Sequence, residues 1–187
     1  MAQAEAGKEK KRVKGLLIVY TGDGKGKTTA ALGMAFRSAG HHYKVAVVQF
    51  IKGNMKAGEE EAAKMAAPYI DWTIGGLGFT AGPMKVATQE EHVKAAQETL
   101  GIARSKLVSG EFRMVVLDEV LGAINAKLIT VQQILSLIQE KPSMTHLVLT
   151  GRGAPPEIVE AADLVTEMRL VKHPYEQGII AQKGVEF

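Results

Sequence analysis

Two kinds of hydrophobic pattern alternate along the chain. Short continuous apolar runs are typical of strands that are buried on both faces of a sheet. Such runs occupy residues 16–20, 44–50, 70–74, 114–117, 145–150 and 164–171. The segments between them predict helices, and the longest helix carries apolar residues three and four positions apart on one face. The predicted helices cover residues 27–39, 59–67, 88–109, 130–138 and 156–162.

The segment boundaries carry residues that are typical of helix ends and loops. Thr88 with Glu91, and Thr130 with Gln133, form capping-box patterns at the start of two helices. Residues 75–83 contain too many glycines for the interior of a helix or strand. Regular alternation of strands and helices predicts an α/β fold of three layers, with a mainly parallel sheet and helices on both faces.

The segment after the first apolar run is the most informative part of the chain. Residues 21–29 have the sequence Thr-Gly-Asp-Gly-Lys-Gly-Lys-Thr-Thr. Gly22, Gly24 and Gly26 allow successive backbone N–H groups to face an anion, and the N-terminus of the next helix adds partial positive charge. In the usual phosphate-loop spacing the first glycine would stand at position 21, but here it comes one residue later. The alternative is a glycine-rich turn without a ligand, but the location between a strand and a helix favours a P-loop.

Side chains in this loop suit a nucleoside triphosphate. Lys27 can reach phosphate oxygens, and Thr28 can bind Mg²⁺ through its hydroxyl group. Asp23, Lys25 and Thr29 complete the predicted nucleotide-binding segment. The three-layer fold is therefore predicted to be P-loop NTPase-like (RecA-like).

Polar residues also follow three other predicted strands, at residues 49–53, 118–119 and 150–153. In parallel α/β folds, ligands bind at the carboxyl ends of the strands. Asp118 and Glu119 follow a buried run and predict a Walker B element that binds Mg²⁺, although an ordinary acidic strand end is the alternative. Arg152 stands between two glycines and predicts a phosphate clamp, with a surface turn as its alternative.

Composition and charge limit the other functions. The chain has 187 residues, no cysteine and a formal net charge of +3. Five lysines and arginines against two glutamates in residues 1–14 account for that whole charge, so the remaining body is formally neutral. We therefore expect a basic mobile tail over residues 1–14, a single domain over residues 15–187, and no nucleic-acid-binding face.

The N-terminus has no hydrophobic signal region, and no stretch approaches the ~18 continuous apolar residues of a membrane span. We expect a cytoplasmic protein that does not bind membranes. The five histidines lack metal-site spacing, which favours surface or capping roles, and Trp72 is expected in the core.

Almost everything after residue 14 resembles the P-loop-type ATP:corrinoid adenosyltransferases. The similarity is carried by an ordered set of motifs: residues 21–29, 47–53, 78–80, 117–119, 149–153, 171–173 and the ending 178–187. The resemblance implies transfer of the 5′-deoxyadenosyl group of ATP to the Co(I) centre of cobalamin or a precursor such as cobyrinic acid a,c-diamide, with release of triphosphate.

The resemblance also implies roles for individual residues. Backbone amides of residues 22–26, with Lys25 and Lys27, would stabilise the departing triphosphate. Thr28 and Glu119, with Asp118 nearby, would hold Mg²⁺, for which Mn²⁺ can substitute. Lys27, Thr28 and Glu119 are thus the predicted catalytic residues. The resemblance further implies that Arg37 helps to hold the nucleotide and that Phe79 packs under the corrin.

Partners follow from the same resemblance: ATP, a corrinoid, a second copy of the chain in a homodimer, and an electron donor such as a flavoprotein reductase. The family's usual tryptophan two residues after Phe79 is replaced by Ala81, which predicts an altered corrinoid site. Two alternatives stay open. One is a P-loop ATPase or kinase acting at the γ-phosphate, and the other is a non-catalytic nucleotide- or corrinoid-binding relative.

Overall fold

A six-stranded sheet forms the centre of the fold. The computed structural model describes residues 13–51, 58–78, 80 and 86–186. The strands are β1 (Leu17–Thr21), β2 (Val45–Gln49), β3 (Ile70–Ile74), β4 (Met114–Asp118), β5 (His146–Thr150) and β6 (Leu164–Glu167). The helices are α1 (Lys27–Gly40), α2 (Gly58–Met65), α3 (Gln89–Val108), α4 (Val120–Asn125), α5 (Val131–Gln139) and α6 (Pro156–Ala161), and a short 3₁₀ helix covers Pro174–Gln177.

The strand order determines which strand ends lie side by side. The order across the sheet is β3-β2-β4-β5-β1-β6, and every neighbouring pair is parallel. In register, Gln49 lies opposite Asp118, and Tyr20 lies opposite Thr150. The carboxyl ends of β2, β4, β5 and β1 therefore meet at one edge of the sheet.

Two hydrophobic clusters cover the two faces of the sheet, because successive side chains of a strand point to opposite faces. In β1, Leu17 and Val19 belong to a cluster with residues of α3, α4, α5 and α6, whereas Ile18 belongs to a cluster with residues of α1 and α2. The predicted α/β fold of three layers, with a parallel sheet and helices on both faces, is confirmed. It is consistent with a P-loop NTPase-like domain.

Three elements differ from the predictions: helix α4, strand β6 and the 3₁₀ helix Pro174–Gln177, which was not predicted. Helix α4 was not predicted, since its six residues, Val120–Asn125, are too few to display a helical period. Strand β6 ends at Glu167 rather than at position 171. The backbone of the next residue, Met168, is used differently: its N–H donates to Thr21 O at 2.8 Å, and its carbonyl oxygen accepts from Gly24 N at 2.7 Å.

The prediction that the histidines have surface or capping roles is wrong for His92, which is only 1% exposed. It lies on the face of α3 that also buries Ala96 and Ala103, so the helical period carries it into the core. Trp72 is half-buried and packs against the cluster under α1 and α2. Within the described ranges, no helix is both long enough and apolar enough to cross a membrane.

Candidate functional site

The turn between β1 and α1 has the backbone geometry of a phosphate-binding loop. Gly22 and Gly26 have φ angles of 94° and 115°, a left-handed region that a Cβ atom disfavours. A Cβ atom at Gly22 would also lie 2.4 Å from the carbonyl oxygen of Met168. Thr21 is the last residue of β1, and its hydroxyl oxygen accepts from Ala154 N at 3.1 Å. The glycine comes one position late because the strand continues through position 21.

Lys27 places its charge inside this loop. Its side chain is 7% exposed, and the ammonium group donates to Gly22 O at 2.8 Å and to Gly24 O at 2.7 Å. Burial lowers the pKa of the Lys27 ammonium group below its ordinary value, and the nearby Glu119 carboxylate partly opposes that shift. The loop thus holds a partly desolvated cation, which favours binding of an anion.

The carboxylate of Asp118 connects three other elements. It is 3% exposed and accepts hydrogen bonds from Thr28 Oγ1 at 2.8 Å, Thr150 Oγ1 at 2.8 Å and Gln49 Nε2 at 3.0 Å. The Thr28 and Thr150 hydroxyl groups share one carboxylate oxygen, Oδ1, and Gln49 occupies the other. Because a hydroxyl oxygen keeps its lone pairs while it donates, Thr28 can still bind a cation.

Glu119 differs from Asp118 in both backbone and charge. It has a φ of 58°, in the left-handed region, and its N–H donates to Thr150 Oγ1 at 2.9 Å. Burial, and then the neighbouring Asp118 charge, raise the pKa of the Glu119 carboxyl group, while Lys27 acts in the opposite direction. Glu119 is therefore a carboxylate whose ionised form is destabilised in the ligand-free protein.

These groups surround a cavity of about 450 Å³. Its lining comes from the P-loop, the ends of β2 and β4, α2 and the C-terminal segment: Lys25, Gly26, Lys27, Thr28, Thr29, Gln49, Ile51, Glu59, Asp118, Glu119, Val185 and Glu186. The structure thus brings together most of the predicted site. Sequence reasoning missed Glu59, Val185 and Glu186, since no local pattern indicates that these distant segments contact the P-loop.

Other predicted residues lie outside this lining. Arg37 stands in the last turn of α1, ten residues after Lys27 and so about 15 Å along the helix. Arg152 is exposed, and its charge still contributes to the pKa shifts of Lys27 and Glu119. Asp23 is also exposed, and its charge acts on the pKa of Lys27 in the direction opposite to that of Arg152. Phe79 and residues 52–57 and 81–85 lie outside the described residues.

The oxygen donors of the cavity fit Mg²⁺. Thr28, Asp118 and Glu119 offer one hydroxyl and two carboxyl groups, the hard ligands that Mg²⁺ prefers. Among the described residues, no three His, Cys, Asp or Glu side chains are grouped so that they could bind a metal ion. In proteins Mg²⁺ commonly binds through one or two carboxylates together with phosphate oxygens and waters.

Fold and site together define a P-loop α/β protein whose phosphate loop faces a carboxylate pair. The chain belongs to the ATP:corrinoid adenosyltransferase family, since the family model described as ATP:corrinoid adenosyltransferase BtuR/CobO/CobP matches residues 13–187.

Curated relatives agree with this membership. A protein named "Corrinoid adenosyltransferase" from Pseudomonas aeruginosa is 42% identical over 93% of this chain and 84% of its own length. One of the same name from Sinorhizobium sp is 43% identical over 100% of this chain and 89% of its own length. A third, from Escherichia coli strain K12, is 36% identical over 93% of this chain and 86% of its own length. The resemblance inferred from the sequence motifs is confirmed.

We predict that Glu119→Gln stabilises the ligand-free protein, and more so at neutral than at acidic pH. A carboxyl group whose pKa is raised on folding binds a proton more readily in the native state, so its contribution to stability falls as pH rises through that pKa. The amide removes this loss at about pH 7.5, where a glutamate is ordinarily ionised, whereas at about pH 4.5 more of the native glutamate is protonated and the loss is smaller. Urea denaturation at both pH values measures the difference.

Glu98→Gln is the matched control, because Glu98 is exposed in the middle of α3. Because exposed substitutions away from special contacts change stability little, it should alter the free energy of unfolding by no more than about 0.5 kcal/mol. A Glu119→Gln effect that is independent of pH, or larger in acid, would contradict the assigned pKa shift.

Proposed function

We propose that the protein transfers the 5′-deoxyadenosyl group of MgATP to the Co(I) centre of a corrinoid and releases triphosphate. One observation carries the proposal. In a member of this family, the buried ammonium group of Lys27 and the Asp118–Glu119 pair face one cavity of about 450 Å³. The relatives named corrinoid adenosyltransferase support the same activity. The proposal assigns it to a single domain, residues 15–187, with residues 1–14 as a basic tail.

The proposed reaction needs no nucleophile or base from the protein. The Co(I) centre of the corrinoid substrate donates an electron pair to C5′ of ATP. The bond between C5′ and its oxygen breaks, and its electrons leave with the triphosphate. Cobalt thereby becomes formally Co(III) with a carbon ligand, and no proton is transferred. The chain's task is to orient C5′ and to stabilise charge on the leaving group.

The P-loop supports that task. Backbone N–H groups of residues 22–26 and the N-terminus of α1 offer donors and partial positive charge to the triphosphate. The Lys27 ammonium group, 2.7 Å from Gly24 O in the ligand-free protein, would exchange this carbonyl contact for phosphate oxygens. Asp23, Lys25 and Thr29 belong to the same segment. In a buried site such interactions are stronger than in water.

Thr28 and Glu119 would hold Mg²⁺, with Asp118 nearby, and Mn²⁺ would substitute for it. Bound Mg²⁺ neutralises developing charge on the leaving oxygens. The hydrogen bond from Thr28 Oγ1 to Asp118 Oδ1, at 2.8 Å, directs the Thr28 proton away and leaves oxygen lone pairs for the cation. Arg152, two residues after the end of β5, would contribute positive charge to the phosphates.

A second groove supports a nucleoside-binding role for the α1 face. It has a volume of about 430 Å³, continues from the P-loop cavity through Thr29, Glu59, Val185 and Glu186, and follows α1 past Leu32, Gly33 and Phe36. Arg37 does not line this groove, but it follows Gly33 by one helical turn on the same face of α1, so a nucleoside in the groove would lie near the arginine that the family resemblance assigns to nucleotide binding.

The corrinoid side of the proposal depends on Phe79 as the aromatic that packs under the corrin, with Ala81 where the family has tryptophan. We further propose that the protein works in the cytoplasm as a homodimer and receives its electron through a donor such as a flavoprotein reductase. We propose no role for the protein in nucleic-acid or membrane binding.

We expect a direct product assay to identify the reaction. The protein is mixed without oxygen with MgATP and chemically reduced cob(I)alamin, and the corrinoid spectrum and the phosphate products are followed. The proposal predicts light-sensitive adenosylcobalamin and an equal amount of triphosphate. ADP with orthophosphate would contradict it and favour an ATPase or kinase. ATP binding without any product would favour a binding protein.

Lys27→Met should reduce kcat by a factor on the order of 10² to 10³, the range seen when one donor to a developing anion is removed. Lys94→Met is the comparison, because Lys94 is exposed on α3 and does not line the cavity, and it should keep activity close to that of the wild type. Steady-state kinetics at saturating MgATP measure both variants. Equal losses for the two lysines, or an active Lys27→Met protein, would contradict the assigned role of Lys27.

A further inference from the structure

The buried residue Thr150 has no role in the reaction proposed above, although it contacts the carboxylate pair. It is the last residue of β5, the strand between β1 and β4, and it is fully buried, with 0% exposure. Its hydroxyl group donates to Asp118 Oδ1 at 2.8 Å and accepts from Glu119 N at 2.9 Å. The Thr150 hydroxyl group therefore contacts both members of the carboxylate pair: the side chain of Asp118 and the backbone of Glu119.

The contact to Glu119 fixes an unusual backbone. Glu119 has φ 58° and ψ 20°, a conformation that residues with a Cβ atom rarely adopt. Its N–H is held by Thr150, and its carbonyl oxygen accepts from Ala123 N at 3.1 Å in the first turn of α4. With both peptide groups held, the direction of the Glu119 Cα–Cβ bond is fixed. That side chain forms no cap hydrogen bond to α4, and it lines the cavity.

The contact to Asp118 reaches the other side of the site. Asp118 Oδ1 accepts from Thr28 as well as from Thr150, each at 2.8 Å. Fixing this oxygen fixes the direction in which the Thr28 proton points, and thereby the lone pairs that face the cavity. Gln49, at 3.0 Å, holds the second oxygen of the same carboxylate.

We propose that Thr150 is a positioning residue that sets the geometry of Thr28 and Glu119 for the divalent cation of the bound nucleotide. The role requires one group that donates and accepts at once, which a serine or threonine hydroxyl supplies and an alkyl group does not. The inference rests on the proposed function for the identity of the nucleotide, MgATP, but not on the transfer of the adenosyl group.

The test measures how much Mg²⁺ strengthens ATP binding, by isothermal titration calorimetry with and without Mg²⁺, in the absence of corrinoid. In Thr150→Val, which has nearly the same shape, we expect this strengthening to fall about tenfold, the size of one lost hydrogen bond to a charged group. ATP affinity without Mg²⁺ should change little, because the P-loop and Lys27 are intact. Thr150→Ser should keep the wild-type value within about twofold, since it retains the hydroxyl group.

Thr145→Val controls for the loss of a buried hydroxyl group next to β5. Thr145 precedes the strand at its opposite end, is 5% exposed, and donates to Phe112 O at 3.2 Å. It should lose stability but keep the Mg²⁺ effect on ATP binding. If Thr150→Val does not fold, Thr150→Cys, whose thiol is a weak donor and acceptor, carries the same comparison.

Three results would overturn the inference: a wild-type Mg²⁺ effect in the variant without a hydroxyl group, a serine variant as impaired as the valine variant, or wild-type ATP binding that Mg²⁺ does not strengthen. Failure of the proposed function would look different. A wild-type protein that binds MgATP as described but forms no adenosylcorrinoid would refute the transfer reaction and leave the role of Thr150 intact.

Discussion

The buried carboxylate of Asp118 is the constraint on which the rest of the site depends. A charge that is 3% exposed must be compensated by hydrogen bonds, because an unpaired buried carboxylate is strongly unfavourable. Its donors come from β2, α1 and β5, through Gln49, Thr28 and Thr150. The strand order brings β2 and β5 to either side of β4, so the fold itself supplies the compensation.

Burial acts in opposite directions on two of the titratable groups that line the cavity, Lys27 and Glu119. It lowers the pKa of Lys27 and raises that of Glu119, so both charged forms are destabilised without a ligand. A polyphosphate with a divalent cation would give each of them an opposite charge to contact. Pairing each buried charge with an opposite charge offsets part of the cost of its burial. A polyphosphate that carries a divalent cation should therefore bind better than the polyphosphate or the cation alone.

The local parts of the site could be predicted from the sequence. The P-loop and the Asp118–Glu119 pair depend on short-range patterns and on the rule that parallel strands end at one edge, and the structure brings them together. Long-range parts could not be predicted. The contact of Val185 and Glu186 with the cavity depends on how the C-terminal segment packs against the rest of the fold. The burial of His92 depends on which face of α3 meets the sheet. The left-handed backbone of Glu119 has no signal in its residue type, since it is maintained by Thr150 and α4.

We propose that the triphosphate departs from C5′ and that no bond to phosphorus breaks, so locating the broken bond is the decisive measurement. ATP with a heavy oxygen isotope between C5′ and the α-phosphorus is converted with reduced corrinoid, and the products are weighed by mass spectrometry. All of the label should appear in the released triphosphate and none in the adenosylated corrinoid. Label that remains with the nucleoside product would mean that a phosphorus–oxygen bond is broken, and would refute cleavage at C5′.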